Sequence, residues 1–483
     1  MEAPILYRHP IRNRSQCSTE FGGANYEHTM KTMKAMKTMK NSKSRLFSGL
    51  ATAVTLIIII SLGIYGCKKT TDDPEPVTSQ GIKYTHSTGI TILSLKGTYY
   101  EMGMHYGRLM KDSLQKWANY YNTTWKDANP EAYNYVTSKI LEGGNNLFLS
   151  DKIKDFLDGI VLTSGLPKKD VYRLDQCCAF DYMFSGKITI PKGAACTFIG
   201  AYGAATGGHT IIARNLDLQR PLAVRNYNSV ITIMHPSNGD HKVATFGFVG
   251  FPQGYALLNL DNTVFTEYNT GNSADAGTDP DLTSRDMMDL AFDAITEKGN
   301  TDAPTTAEYL RTKRLLSPSF FGVADKNTVL VVQRAIGADG VIAQNSLGNN
   351  INGVTNVFLD STIHKTKLNI YNASTAVDAP DKKLDTPARG MVRWVNLVSY
   401  FTAHPSGLDI NAMKTIISTD IADSGVFIGG YEQEGTNTFC KTDATFGSVV
   451  IDLNDLTQVW WLRYDYATKN KTWDNVDLTT YVK

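Results

Sequence analysis

The sequence has little excess charge and no residue spacing typical of metal ligands. Its 483 residues include 48 lysines and arginines against 47 aspartates and glutamates, which leaves a formal net charge of +1. Proteins that bind nucleic acid concentrate positive charge to neutralise phosphates, so this balance argues against that class. No Cys-x-x-Cys, His-x-x-x-His or His-Glu-x-x-His spacing occurs. The sequence therefore predicts neither a metal site nor a cofactor.

Cysteine is also scarce, with six in the whole chain. Two of them, Cys17 and Cys67, lie in N-terminal segments that precede the folded body. The remaining four are Cys177, Cys178, Cys196 and Cys440. Four thiols in a chain of this size are too few for a disulfide framework, although one or two bridges remain open. We expect the adjacent pair at 177 and 178 to pack in a helix.

What is present near the N-terminus is a lysine-rich stretch followed by a long apolar run, the layout of an export signal. The run from Leu46 to Gly66 has about 21 residues, enough to span a bilayer, so an uncleaved membrane anchor is one interpretation. The ending Ile64-Tyr65-Gly66-Cys67 resembles a bacterial lipobox, in which the cysteine is lipidated after cleavage. We therefore expect an exported lipoprotein of a Gram-negative bacterium, anchored through Cys67 to the outer membrane on its periplasmic or cell-surface side.

Composition divides the chain into four parts. Residues 1–66 are the leader and signal peptide, and those before about residue 30 lack signal character, so translation is predicted to start at Met30 or one of the next three methionines. Residues 67–80 are polar and predict a tether. Residues 81–195 show mostly helical periodicity. Residues 196–483 contain short β-rich runs and helices in separate blocks, which predicts an α+β fold with layered sheets.

The segment "GAACTFIGAYGAATGGHTIIARNLD", from Gly193 to Asp217, predicts a β-hairpin with its turn at Thr206-Gly207-Gly208. Two registers are open: one pairs Phe198 with Asp217, and the other pairs Cys196 with Asp217. In both, the carboxylate lies within two residues of facing Cys196. Arg214 is close enough to share that end of the hairpin. A buried structural cysteine is the alternative interpretation.

No histidine lies near this thiol except His209, which is beside the turn at the far end. A thiol needs a base, because only the thiolate attacks and the ordinary pKa of cysteine is about 8.5. The α-amino group of Cys196 itself, with an ordinary pKa of about 7.7 to 8.0, can serve as that base. Such a base exists only if the chain is cut between Ala195 and Cys196.

The same segment resembles the nucleophile region of the N-terminal nucleophile hydrolases of the choloylglycine hydrolase and acyl-coenzyme A:6-aminopenicillanic acid acyltransferase type. In that family a strand begins with the catalytic cysteine, and an Arg-Asn-x-Asp on the return strand supplies the supporting residues. The resemblance maps these roles onto Cys196, Arg214 and Asp217. It implies self-cleavage after Ala195 and a four-layer αββα sandwich of two stacked antiparallel sheets. It also implies that 81–195 is a helical pro-segment that remains bound after cleavage.

Looser motifs extend the resemblance over most of the body. The stretch "VFTEYNTGN" places Asn269 beside the substrate, with Tyr268 as its neighbour. "GVTNVFLD" implies that Asn356 donates a hydrogen bond to the oxyanion, with Asn269 as a second donor. "DTPARGMVRW" implies an active-site arginine at Arg389, with Arg393 as the alternative.

Together these features predict a self-cleaving cysteine hydrolase or acyltransferase that acts on a linear amide, or an acyl thioester, of a small acylated substrate. The expected partners are that substrate, the membrane through the lipid anchor and the retained pro-segment, and homo-oligomerisation is left open. Two alternatives also remain. One is a lipid amidase or phospholipase-like hydrolase on the same fold, and the other is a non-catalytic surface lipoprotein that binds a ligand.

Overall fold

A computed structural model describes most of the chain after residue 80. The described residues are 81–128, 130–135, 137–138, 149–183, 194–218, 229–270, 286–313, 315, 319–334, 340–355, 394, 397–418, 445–465 and 470–482. All of them lie in one compact unit, Ser79–Lys483. Within these ranges, no helix has both the length and the apolar character needed to cross a membrane. The predicted signal peptide, Cys67 and the tether lie outside them.

Fifteen strands occur in the described residues. They are β1 (Gly81–Thr85), β2 (Thr91–Gly97), β3 (Ala194–Tyr202), β4 (Thr210–Leu218), β5 (Ser229–Pro236), β6 (Val243–Phe248), β7 (Ala256–Asn259), β8 (Val264–Thr270), β9 (Ser319–Ala324), β10 (Val329–Arg334), β11 (Val341–Ala343), β12 (Ile351–Val354), β13 (Thr445–Asp452), β14 (Val459–Asp465) and β15 (Asn470–Val476). Nine form one sheet in the order β1-β2-β5-β6-β7-β8-β9-β10-β11. The other six form a second sheet in the order β12-β3-β4-β13-β14-β15.

Helices flank these strands. They are α1 (Tyr99–Leu109), α2 (Lys111–Tyr120), α3 (Lys126–Ala128), α4 (Pro130–Tyr135), α5 (Asp151–Ser164), α6 (Lys168–Met183), α7 (Met287–Thr296), α8 (Ala303–Thr312) and α9 (Ile410–Ser418). Residues 397–403 are also helical. A π-helical turn, Tyr121–Trp125, follows α2, and 3-10 turns lie at Gly203–Ala205 and Leu478–Thr480. Between β2 and β3 the described residues are mostly helical.

Local sequence explains where the first helix begins. Thr98 has an extended backbone, and its hydroxyl accepts a hydrogen bond from the Glu101 backbone N–H at 3.2 Å. The Glu101 carboxylate in turn accepts from the Thr98 backbone N–H at 2.7 Å. This reciprocal pair satisfies two backbone donors that the first turn of a helix leaves open. The chain therefore turns sharply from β2 into α1.

One pairing departs from the antiparallel sheets that the sequence predicts. Strands β2 and β5 run parallel, with Thr91 opposite Val230 and Gly97 opposite Pro236, whereas the other strand pairs in the two sheets are antiparallel. A parallel pair needs a long crossover connection. Here that connection contains α1 to α6 and the β3–β4 hairpin, so the segment that precedes Cys196 contributes two strands to the larger sheet.

The β3–β4 hairpin forms, but both predicted registers are wrong. Cys196 pairs with Leu216, and Asp217 pairs with Ala195. The reason is the turn, which is not a two-residue glycine loop. Strand β3 ends at Tyr202, and a 3-10 turn is inserted before β4. The prediction that Asp217 lies within two residues of facing Cys196 is confirmed at the backbone level.

The two sheets pack against each other through apolar side chains. The rings of Phe198 on β3 and Phe265 on β8 stack with their centroids 6.0 Å apart. On the other side of β4 and β13, α9 and residues 397–403 pack against a separate cluster of buried side chains that includes Ala213 and Val450. Helices α7 and α8 contact strands β7 to β11. An α+β fold with two layered sheets is therefore confirmed.

Candidate active site

The candidate nucleophile lies between the two sheets. Cys196 is fully buried, and its sulfur is not part of a disulfide bond. It is the third residue of β3, two positions before Phe198, and alternate residues of a strand share one face. The thiol therefore lies on the face of β3 that packs against the nine-stranded sheet.

Arg214 on β4 extends from the same face and connects the two sheets. It pairs with Phe198 in the β3–β4 register, so it is diagonal to Cys196. Its Nε lies 2.7 Å from the Glu267 Oε2, and its Nη2 donates to the Tyr268 carbonyl oxygen at 2.9 Å. Both charged side chains are fully buried. The guanidinium also lies 5.9 Å from the centre of the Tyr255 ring.

Glu267 on β8 fixes this arginine and is itself held by the neighbouring strand. Its Oε1 accepts a hydrogen bond from the Gly322 backbone N–H at 2.8 Å. Burial raises the pKa of Glu267 to about 7, outweighing the opposing effects of Arg214 and the Gly322 N–H. The carboxyl group that holds this buried cation is therefore protonated more easily than an exposed glutamate.

Contacts between β3 and the larger sheet define the direction in which the strands cross. Gly200 lies against the Val329 side chain. Val329 pairs with Ala324 on β9, and Ala324 pairs with Phe265 on β8. A side chain at Gly322 would overlap with the Phe198 ring, and Gly322 is level with Glu267. Going from residue 200 to residue 196 on β3 therefore corresponds to going from residue 265 to residue 269 on β8. The geometry brings Cys196 towards the Asn269 end of β8.

Asn269 is fully buried at this end, and its predicted place beside the substrate stays a prediction. Its Nδ2 donates to the Glu267 Oε1 at 3.5 Å, and the same nitrogen carries a second N–H. Among the described residues the Asn269 Oδ1 accepts no hydrogen bond. Asn269 therefore offers both an acceptor and a second N–H donor, and its predicted role as an oxyanion donor stays a prediction.

The structure describes the other predicted site residues only in part or not at all. For Ala195 and Asp217 the structure describes the backbone pairing and not the side chains. Four further residues lie outside the described ranges: Cys67, Asn356, Arg389 and Arg393. Their roles stay predictions. Across the ranges that are described, no group of three or more His, Cys, Asp or Glu side chains could hold a metal ion.

Sequence reasoning missed Glu267 and Tyr255. Glu267 lies in the stretch "VFTEYNTGN" that drew attention to Asn269, two residues earlier on the same strand. A charged residue in an apolar strand pattern needs a partner of opposite charge once it is buried. Arg214, in the apolar strand "TIIARNLDL", is such a partner, so the two isolated charges are the signal that could have identified the pair.

Comparisons with known proteins give little further information. No protein family matches the sequence, and no curated protein matches it. One solved structure to which the chain is similar is the Caenorhabditis elegans N-acylethanolamine-hydrolyzing acid amidase (NAAA) ortholog. The similarity has a TM-score of 0.36 and 14% sequence identity, and it covers 53% of this chain and 93% of that chain.

Proposed function

We propose that this chain is a self-cleaving cysteine amidase of the N-terminal nucleophile type. The observation that carries the proposal is the buried Cys196 thiol on the inner face of β3, diagonal to Arg214 on β4. A structural cysteine needs no buried cation nearby, whereas a nucleophilic thiolate is stabilised by one. The motif resemblance described for the hairpin supports the same interpretation.

The first step is cleavage of the chain at the Ala195–Cys196 peptide bond. The Cys196 thiol attacks the Ala195 carbonyl carbon, and the acyl group moves from nitrogen to sulfur. This leaves a thioester and a free amine on Cys196. Water then hydrolyses the thioester, which releases the Ala195 carboxylate and restores the thiol. The products are a fragment that ends at Ala195 and a catalytic chain that begins at Cys196.

In turnover, the new α-amino group takes the proton of the Cys196 thiol. The thiolate attacks the amide carbonyl of the substrate, and Asn356 donates a hydrogen bond to the oxyanion that forms. The amine part of the substrate leaves with the transferred proton, and water hydrolyses the thioester of the acyl-enzyme. An acceptor amine in place of water would make the reaction an acyl transfer.

Arg214 and Glu267 position the reacting groups. The buried guanidinium favours the thiolate over the thiol through opposite charge. Glu267 holds the guanidinium from the opposite sheet, and the Tyr268 carbonyl fixes a second of its nitrogens. Asp217, level with Ala195 in the hairpin, is assigned to the new ammonium group, and Arg389 to the substrate.

The remaining parts of the proposal concern architecture and location. The two sheets and their helices form a four-layer sandwich, and the fragment that contains 81–195 stays bound after cleavage. Lipidated Cys67 anchors this fragment to a membrane on the exported side. Replacing Cys67 with Ser should move the protein from the membrane fraction to the soluble fraction in cells. Retention in the membrane fraction would favour an uncleaved apolar anchor.

The decisive experiment is intact mass measurement with N-terminal sequencing of the purified protein. The wild type should give two fragments, one beginning at Cys196, and Cys196→Ala should give one chain. Cys177→Ala, on α6, is the matched control and should be cleaved like the wild type. A single uncut chain in the wild type would remove the proposed base and leave a ligand-binding lipoprotein as the better interpretation.

A further inference from the structure

Three buried polar side chains near the candidate nucleophile have hydrogen-bonding atoms without partners. Within the described part of the chain, these atoms are both side-chain amide atoms of Gln253, the hydroxyl of Tyr255 and the Oδ1 of Asn269. All three residues are fully buried. Leaving such groups unpaired opposes folding, and native proteins do so rarely. A cluster of them in one place needs an explanation.

The three residues lie at the same end of the sheet. The Tyr268 hydroxyl donates to the Gly254 carbonyl oxygen, which places the segment Gln253–Tyr255 beside the end of β8 that carries Asn269. Strand β7 begins directly after this segment, with Ala256 paired to Glu267. Tyr255 borders the buried ion pair through the Arg214 guanidinium and Asn269 borders it through Glu267, while Gln253 is two residues before Tyr255 in the chain.

The Tyr255 hydroxyl also lies over the strand next to β4. A side chain at Gly447 on β13 would overlap with this hydroxyl. Gly447 pairs with Leu216, and Leu216 pairs with Cys196. The hydroxyl is therefore two strands away from the thiol, which corresponds to about 10 Å. A substrate side chain of this length that extends from a carbonyl group attacked by Cys196 would reach the hydroxyl over Leu216, which lies between them on the same face.

The unpaired groups define the chemistry of a ligand. A tyrosine hydroxyl and a glutamine amide each donate and accept hydrogen bonds, and the Asn269 Oδ1 accepts them. Among the described side chains, Arg214 and Glu267 border this region and neutralise each other as an ion pair. A charged ligand group would lose its hydration without a counter-charge, whereas a neutral hydroxyl or carboxamide would satisfy these groups.

We infer that Gln253 and Tyr255, together with Asn269, form a subsite for a neutral hydroxyl or carboxamide group of the substrate. The inference rests on the proposed function, because the subsite is measured from Cys196. The expected substrate is an acyl amide that carries a neutral hydroxyl or carboxamide group about 10 Å from the Cys196 thiol. Gln253 and Tyr255 act as binding residues that set specificity.

The first test needs no substrate. Tyr255→Phe removes only the hydroxyl and keeps the ring that packs against Trp461. In the ligand-free protein, the midpoint of urea unfolding should stay unchanged or rise, because no hydrogen bond is lost. A lower midpoint would show that the hydroxyl has a structural partner and would overturn the inference. Gln253→Leu should behave in the same way.

The second test compares two fluorogenic amides of aminomethylcoumarin, one with a hexanoyl group and one with an ω-hydroxyhexanoyl group. The wild type should prefer the hydroxylated amide in kcat/KM, and Tyr255→Phe should reduce that preference about tenfold. Tyr202→Phe, whose hydroxyl bonds to Asn345 at the far end of β3, should retain the wild-type preference. An equal preference in Tyr255→Phe and the wild type would overturn the subsite.

A failure of the proposed function gives a different result. If the wild type hydrolyses neither amide, calorimetric binding of hexanamide and ω-hydroxyhexanamide to the same protein decides the question. Tighter binding of the hydroxylated compound, lost in Tyr255→Phe, would support the subsite in a protein that does not catalyse the reaction. Equal binding of the two compounds would overturn the subsite.

Discussion

The Nε of Arg214 lies 2.7 Å from the Oε2 of Glu267, and both side chains are fully buried between the two sheets. The pair joins β4 of one sheet to β8 of the other, next to the strand that carries Cys196. Removing one member of a buried ion pair leaves the other as an uncompensated charge. The pair is therefore important for both stability and the candidate reaction.

Arg214→Met should destabilise the fold by about 3 to 5 kcal/mol, because it leaves Glu267 buried without its partner. Replacing Arg214 and Glu267 together by methionine should recover much of that loss and still abolish self-cleavage. Urea unfolding and intact mass measure the two effects. Arg311→Met is the control, since its pair with Glu308 is exposed at the surface and should contribute about 0 to 1 kcal/mol. Equal losses in the two single variants would contradict the prediction.

Stability should depend on pH through Glu267. Burial raises the pKa of its carboxyl group to about 7, so the folded chain binds more protons than the unfolded chain between about pH 4.3 and that value. The stabilising contribution is complete below the ordinary pKa and is lost as the pH rises through about 7. The free energy of unfolding of the wild type minus that of Glu267→Gln should therefore fall as the pH rises through this range, and it should then level off.

Urea unfolding at several pH values measures this difference. Glu101→Gln is the control with the opposite sign, because hydrogen bonds from Thr98 lower the pKa of Glu101. Its contribution is present above the ordinary pKa and is lost as the pH falls, so the difference between wild type and Glu101→Gln should rise with pH. A flat profile for Glu267→Gln would show that the carboxyl group does not titrate in this range.

Phe198→Ala should destabilise the protein by about 3 to 5 kcal/mol. The ring stacks on Phe265 and covers Gly322, so its loss leaves a cavity between the sheets beside Cys196. Self-cleavage should also slow down, because the strand that holds the thiol loses an aromatic contact with the larger sheet. Phe198→Leu should lose less in both measurements. A variant that is as stable as the wild type would mean that the sheets do not pack through this ring.

The fragment that ends at Ala195 should remain bound after cleavage and separate only in denaturant. The Lys152 Nζ contacts Asp240 at 2.8 Å and Asp293 at 3.4 Å, both in the other fragment. Lys152→Met should therefore lower the urea concentration that releases the fragment, as measured by size-exclusion chromatography. Lys168→Met is the control, because its partner Asp158 belongs to the same fragment. Release without denaturant would contradict the proposal.

Sequence patterns predict the central strands and the long helices well, because these bury regular apolar faces. Three strands, β1, β11 and β15, lack such a face, and all three lie at sheet edges. Two of them, "GIKYT" and "NKTWDNV", have a polar composition, and the third, "VIA", has only three residues. Such strands form because the neighbouring strand offers unpaired backbone groups. The parallel β2–β5 pair is equally hidden, since it depends on contacts between distant segments.

At the site, local sequence correctly predicts which end of the hairpin carries Cys196, Arg214 and Asp217. It gives the wrong register, because the 3-10 turn at Gly203–Ala205 depends on three-dimensional context. Glu267 and Tyr255 are missed because they approach Arg214 across the gap between two sheets. No spacing along the chain encodes such a distance.

The parallel pairing of β2 with β5 affects the kinetic stability of the mature molecule. The proposed cut separates β2 from β5, so a contact formed within one precursor becomes a contact between two polypeptides. Once such a molecule unfolds, its pieces must find each other again at whatever concentration the surroundings provide. Its lifetime would then depend on the height of the unfolding barrier and not on equilibrium stability.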